Sequence, residues 1–80
     1  MKSFLREKQL FLRFAGGDSL EKIAADSDRT HKHIASQIIQ GACCLRHDNE
    51  EALRLWDLFS IPGNGYKKTL GKFREAKKKT

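Results

Sequence analysis

The sequence predicts an all-α fold, a small bundle of four to five helices. Residues 29–47 divide, at about 100° per residue, into one apolar and one polar arc. A second segment carries the i, i+3, i+4, i+7 stripe of a helix face, made of Ala52, Leu55, Trp56 and Phe59. A glycine pair and a Pro-Gly turn separate the apolar-patterned segments, which is typical of helices joined by short loops.

The charges are distributed unevenly along the chain. The net charge is +6, yet residues 1–65 hold nine basic and nine acidic residues. Residues 66–80 hold seven basic residues against the single acid Glu75. We therefore expect a helical domain over residues 1–65 and a basic amphipathic C-terminal helix or tail over residues 66–80. Such an end attracts polyanions, nucleic acid first and an anionic membrane surface second.

The composition disfavours several classes of protein. Cys43 and Cys44 are adjacent and poorly placed to bridge each other, so we expect a reduced, cytoplasmic protein. No apolar run approaches the roughly 18 residues of a membrane span, and no signal peptide is visible. The acids cluster at predicted helix starts and nothing places a nucleophile beside a base, so we do not expect an enzyme.

The thiols and imidazoles invite a metal interpretation. Cys43 and His47 are four residues apart, a spacing that can hold one ion on a helix. Zinc sites, however, pair such ligands on both sides of a loop, and only this one pair is convincing here. We expect neither a metal nor a cofactor. Inert cysteines are the favoured interpretation, and exposed thiols sensitive to oxidation are the alternative.

Helix one is predicted over residues 2–15. Leu5 and Leu12 lie seven residues apart within an apolar arc so wide that we expect this helix to be a central packing element. The pair Gly16-Gly17 ends the helix, because glycine readily adopts the left-handed conformation of a C-cap.

Helix two follows directly. Asp18 or Ser19 caps its N-terminus, and Asp18 with Glu21 three residues later resembles a capping box. The run Asp26-Ser27-Asp28 ends it, since three successive residues of poor helix propensity can bond their own backbone instead. The competing interpretation is one continuous helix over residues 19–46.

Helix three is predicted over residues 29–46, with Asp28 or Thr30 as its cap. Its apolar arc consists of Ile34, Ile38, Gly41, Ala42 and Leu45. Its polar arc contains no acid and consists of Arg29, Lys32, His33, Ser36, Gln37 and Gln40, extended by Cys43, Cys44 and His47. Cations, amides and a hydroxyl suit phosphates and base edges. A short helix, a tight joint and this amphipathic helix together predict a helix-turn-helix.

Helix four is predicted to have Asp48 as its cap and Glu51 at the capping-box position. Leu53 and Leu58 widen its apolar stripe beyond what a small core needs. The plain interpretation is a well-buried helix. The interpretation that we favour is a homodimer contact through residues 49–59. A Pro-Gly turn then leads into a basic last helix, whose apolar line consists of Tyr66, Leu70 and Phe73.

The helix-turn-helix segment resembles a known family. The stretches 20–25 and 30–34 resemble the helix-turn-helix of LuxR-type regulators and of the fourth conserved region of sigma factors. Ile23-Ala24 matches the family's first helix, and Thr30 matches its hydroxyl cap. Ser27 and Arg29 stand where the family usually has apolar residues. The resemblance covers about a third of the chain. It implies DNA contacts through Thr30, His31, Lys32, Ala35, Ser36 and Gln40.

The helical wheel and the resemblance agree on Lys32, Ser36 and Gln40, whereas the wheel places His31 and Ala35 on the core side. Gln40 is the best candidate for a base edge, because an amide can pair with adenine. The exposed cations are assigned to phosphates. The predicted DNA-binding residues are Arg29, Thr30, Lys32, His33, Ser36, Gln37, Gln40, Lys67, Lys68 and Lys72.

These residues predict a small sequence-specific DNA-binding transcriptional regulator. Helix 29–46 is expected to read the major groove of double-stranded DNA while the basic C-terminus contacts phosphates. One alternative is a protein-interaction module, a small helical inhibitor or adaptor that uses Leu53, Leu58 and the basic end. Another is a binder of structured RNA, since few aromatics are available to stack on single-stranded bases. Membrane docking by residues 66–79 is least favoured, because three large apolar side chains bury little area.

Overall fold

The computed structural model of the chain describes residues 4–78, with the side chains of residues 4–76. The helices are α1 (Leu5–Ala15), α2 (Leu20–Ser27), α3 (His31–Leu45), α4 (Glu50–Ser60) and α5 (Gly65–Lys78). No strand occurs within that range, so the prediction of an all-α bundle is confirmed. None of the described helices is long and apolar enough to cross a membrane. Lys2 and Ser3, with which helix one was predicted to begin, lie outside the described residues.

The core is organised around α3, which packs against each of the other four helices. The predicted apolar arc of this helix is confirmed, because Ile34, Ile38 and Ala42 are fully buried. Gly41 is also buried and Leu45 is partly buried against the same core. A helix that contacts every other element must bury most of its circumference, and this leaves α3 only a narrow outer surface.

The prediction that the first helix is a central packing element is confirmed in part: the helix packs extensively on α3 but buries one side only. Leu10, Phe11 and Phe14 join the core, whereas Leu5 and Leu12 are 60 % and 50 % exposed. α1 packs on α3, to a smaller extent on α2, and through Phe14 on Phe73 of α5, and its outer side is left to solvent. The apolar arc was therefore wider than the surface that the neighbouring helices cover.

Side-chain caps fix where α2 begins. The Ser19 hydroxyl accepts a hydrogen bond from the Lys22 N–H at 3.1 Å and so caps the helix. The predicted capping box at Asp18 is wrong, because the Asp18 carboxylate instead accepts from the Arg13 guanidinium at 2.9 Å. Arg13 also pairs with Asp26 at 2.8 Å. These hydrogen bonds, first that to Asp26 and then that to Asp18, raise the pKa of Arg13.

The fourth helix begins one residue later than predicted. Asn49 is extended and its side-chain oxygen accepts hydrogen bonds from the N–H groups of Glu51 and Ala52, at 3.0 and 3.2 Å. Asp48 belongs to the preceding turn, where its N–H donates to the Leu45 carbonyl at 3.0 Å. Asn49 is therefore the cap in place of Asp48, because a cap must directly precede the first helical residue.

The predicted break between α2 and α3 is confirmed. Asp28 adopts a left-handed conformation, with φ 52° and ψ 45°, and ends α2. Thr30 is extended, and its hydroxyl accepts from the His33 N–H at 3.2 Å, which caps α3. A continuous helix over residues 19–46 is excluded because the reversed φ interrupts it. α3 starts at His31 and not at residue 29, so Arg29 and Thr30 belong to the turn.

The last helix packs its apolar side into the same core. Leu70 and Phe73 are 3 % and 2 % exposed, and the Phe73 ring stacks on Phe14 with a centroid separation of 6.0 Å. Tyr66 stacks on Phe59 of α4 at 5.1 Å but remains partly exposed. The first turns of the basic segment are therefore held against the bundle, next to α3 and α4.

Candidate nucleic-acid interface

The outward face of α3 is a narrow ridge. His33 and Gln40 are exposed seven residues apart, and His47 continues the line just beyond the helix. Ser36 and Gln37 beside this ridge are only half-buried. The Gln37 side-chain oxygen is buried without a hydrogen-bond partner among the described residues. The polar arc predicted for this helix is thus recessed, and its exposed side chains concentrate in the first turn and at Gln40.

The helical wheel and the family resemblance differ on two residues of α3, and each is right about one of them: the wheel about Ala35 and the resemblance about the exposure of His31. The helical wheel placed His31 toward the core, but His31 is exposed. At the first position of a helix no preceding turn covers a side chain. Ala35 is fully buried, so the DNA contact that the family resemblance implies for it is wrong.

A cleft of about 400 Å³ lies between the first turns of α3 and α5. Its lining consists of Thr30, Lys32, His33, Ser36 and Tyr66. Four predicted site residues are thereby brought together with Tyr66, which the sequence-based prediction did not include. Stacking on Phe59 holds the Tyr66 ring in place. An aromatic residue at the start of a basic segment could have indicated a surface role for Tyr66. Its spacing to Leu70 and Phe73 instead led us to predict that it belongs to the core.

A second cleft, of about 420 Å³, continues this surface toward α2. His31 of α3 and Lys67 of α5 line it together with Ser19. The first turns of α3 and α5 contain no acidic residue, whereas those of α1, α2 and α4 each contain at least one. The positive ends of the α3 and α5 dipoles are therefore not neutralised within their own first turns.

Two predicted lysines lie apart from the two clefts. Lys72 donates to the side-chain oxygen of Asn64 at 3.0 Å, which ties it to the loop before α5. Lys68 is exposed and lines neither cleft. The Lys77 and Lys78 side chains lie outside the described ones. Among the side chains of residues 66–76, Lys67 is the ammonium group that the fold places beside the α3 N-terminus.

Acidic residues border the same region. Glu21 lines the second cleft, and both Glu21 and Asp28 line a third cleft of about 400 Å³ with Arg29 and His31. The Arg29 side chain is exposed, and the backbone N–H of Arg29 donates to the Ala24 carbonyl at 3.2 Å. The turn between α2 and α3 therefore carries both signs of charge. In the first turns of α3 and α5, all ionisable side chains other than Tyr66 are basic.

The C-terminal half of α3 carries the cysteines. The Gln40 amide lies 3.7 Å from the Cys44 sulfur, and the Arg46 guanidinium donates to the Cys43 sulfur at 2.8 Å and stacks 5.6 Å from the Trp56 ring centre. Both thiols are free and half-buried. Within the described part of the chain, no three His, Cys, Asp or Glu side chains lie close enough together to hold a metal ion.

Comparison with protein-family models, with curated proteins and with solved structures finds no match for this chain. Its function is therefore inferred from its own residues. The surface at the first turns of α3 and α5 combines ammonium groups, imidazoles, hydroxyls and a phenol. That set of groups suits phosphate oxygens and the edges of bases.

Proposed function

We propose that the chain is a small sequence-specific DNA-binding transcriptional regulator, with the first turn of α3 in the major groove. The proposal rests on one feature of the structure, the surface at which α3 and α5 begin side by side. This surface combines Lys32, His33 and Ser36 of α3 with Tyr66 and Lys67 of α5. An α-helix fits the major groove, and a second cationic element beside it reaches the flanking phosphates.

The residues divide between two roles. Lys32, Lys67 and Arg29 carry exposed cations that neutralise phosphates and position the protein. Gln40 and Ser36 offer an amide and a hydroxyl, which pair with base edges and specify sequence. Phosphate contacts release counterions, so the affinity falls steeply as the salt concentration rises.

Selection of duplexes from random-sequence DNA by the full chain tests the proposal. The selection is made at moderate salt with competitor DNA, and we expect an enriched motif. Retention of DNA without a motif would contradict sequence-specific reading and favour a binder of the phosphate backbone or of structured RNA. A protein that retains no DNA would overturn the proposal and favour the protein-interaction alternative.

Replacing single residues separates base reading from phosphate binding. On the selected duplex, Gln40→Ala is expected to weaken binding about tenfold and to leave the affinity for random DNA unchanged, because one amide–base pairing contributes about 1–3 kcal/mol. Lys32→Ala is expected to weaken both affinities and to lower the salt slope by about one. Fluorescence anisotropy titrations at several salt concentrations measure these effects.

Lys22→Ala is the matched control for these variants, because Lys22 is an exposed lysine on α2 that lines none of the three clefts. We expect this control to retain both affinities. Equal losses on selected and random DNA for Gln40→Ala would contradict its assignment to a base edge.

Asp28→Asn is expected to strengthen DNA binding about threefold, because the carboxylate beside Arg29 and His31 repels phosphates. Asparagine tolerates the left-handed conformation of this position, so we expect the thermal stability to stay unchanged. Asp48→Asn makes the same change of charge in the turn between α3 and α4 and is the control. An equal gain for both variants would assign the effect to net charge and not to the turn.

A further inference from the structure

The outward face of α4 carries a groove that shares no residue with the DNA-facing surface. Its volume is about 480 Å³, and its lining consists of Glu50, Leu53, Arg54, Asp57, Leu58 and Ile61. Leu53 and Ile61 are 45 % and 49 % exposed, whereas Leu58 is half-buried. A partner that covers this groove would remove aliphatic surface from water at both of its edges.

The charges in this groove alternate in sign along the helix. Glu50, Arg54 and Asp57 follow one another at spacings of four and three residues, which keeps them on one face. Among the residues that the structure describes, none of the three forms an ion pair. The part that reads base then acid, Arg54 and Asp57, is complementary to a reversed copy of itself, because reversal sets each of the two charges opposite the other. The groove therefore carries the charge pattern of a self-association surface.

We propose that a second copy of the chain covers this groove, with the two α4 helices antiparallel about a two-fold axis midway between residues 55 and 56. In that register Arg54 lies opposite the partner's Asp57, and the symmetry repeats the pair. Leu53 and Leu58 flank the charged line on its two sides. Parallel helices would instead set every charge against its own copy, and like charges that face each other across an interface repel.

The size of α4 sets the strength of this dimer. Eleven residues span about 16 Å, so the contact is short and the dimer dissociates readily. The pairing goes beyond DNA binding and does not depend on it. Where both occur, the two-fold axis repeats the DNA-facing surface, and a selected motif would be an inverted repeat.

Sedimentation equilibrium of the full chain, up to millimolar concentration and at physiological salt, tests the pairing. Arg54→Asp sets two carboxylates against each other, and Asp57→Arg sets two guanidinium groups against each other. Each change is expected to raise the dimer Kd at least about tenfold, since symmetry repeats the repulsion. The double variant carrying both changes reverses each pair and is expected to restore the original Kd.

Two matched controls make the same changes of charge elsewhere. Lys22→Asp and Glu75→Arg alter exposed residues on α2 and α5 and are expected to leave the dimer Kd within about twofold. Thermal unfolding of every variant verifies that it is folded. A wild-type chain that stays monomeric would overturn the proposal. Single variants that dimerise normally, or a double variant that stays as weak as the single ones, would overturn it as well.

Discussion

Gly41→Ala is expected to destabilise the protein by about 3 kcal/mol or more. A Cβ atom at this position would overlap the backbone carbonyl of Glu7 and lie 3.0 Å from the backbone nitrogen of Lys8. Both groups belong to the helical backbone of α1, which cannot turn aside as the end of a flexible side chain can. α1 and α3 would have to separate, and close packing between them would be lost. This is a large part of the stability of a small domain.

Urea unfolding followed by far-ultraviolet circular dichroism measures the effect, and Gly71→Ala is its matched control. Gly71 lies within α5, and a Cβ there would meet nothing within 4 Å. Alanine is the better helix former, so we expect Gly71→Ala to stabilise the protein by about 0.5–1 kcal/mol. The same substitution is thus expected to lower the free energy of unfolding at one site and to raise it at the other. A Gly41→Ala protein as stable as the wild type would contradict the close crossing of α1 and α3.

Arg74→Ala is expected to destabilise the protein by about 2 kcal/mol. The guanidinium donates to the carbonyl groups of Phe14 at 2.7 Å and Gly17 at 3.2 Å, and also to that of Asp18. Its carbon lies 4.1 Å from the centre of the Phe14 ring. One side chain therefore satisfies carbonyls at the end of α1, places a cation at the negative end of that helix and joins α5 to it.

Chemical unfolding of two further variants separates these contributions. Arg74→Lys keeps the charge but lacks the planar fork, so we expect it to recover less than half of the loss. Lys68→Ala removes an exposed cation from the same helix and is expected to change stability by less than about 0.5 kcal/mol. Equal stabilities for Arg74→Ala and Lys68→Ala would show that the contacts with α1 contribute nothing.

Arg74 also shows why the basic segment is not one uniform surface. In the sequence it is one of seven basic residues after residue 65, all equally suited to phosphates. In the structure it bonds the end of α1, Lys72 bonds Asn64, and Lys67 stands beside the α3 N-terminus. These assignments depend on contacts between residues up to 60 positions apart, which no local pattern encodes.

Only part of the predicted site is exposed in the structure, because burial by neighbouring helices is not encoded in a local pattern. A helical wheel gives the angle of each side chain on one helix, and it identified Lys32 and Gln40, which are exposed. It takes no account of the neighbouring helices, and these half-bury Ser36 and Gln37. The sequence could not assign Tyr66 to the surface, because the exposed fraction of its ring depends on how Phe59 of another helix packs against it.

Interactions within a few residues along the chain account for what the residue pattern predicted correctly. The apolar periodicity defined the helices, and the turn chemistry of Asp28 and Thr30 separated α2 from α3. The central position of α3, its crossing at Gly41 and the joining of the α3 and α5 first turns depend on long-range packing. An amphipathic pattern specifies that a face is buried but not by which partner, because the hydrophobic effect has no direction. Close packing of the whole chain makes that choice.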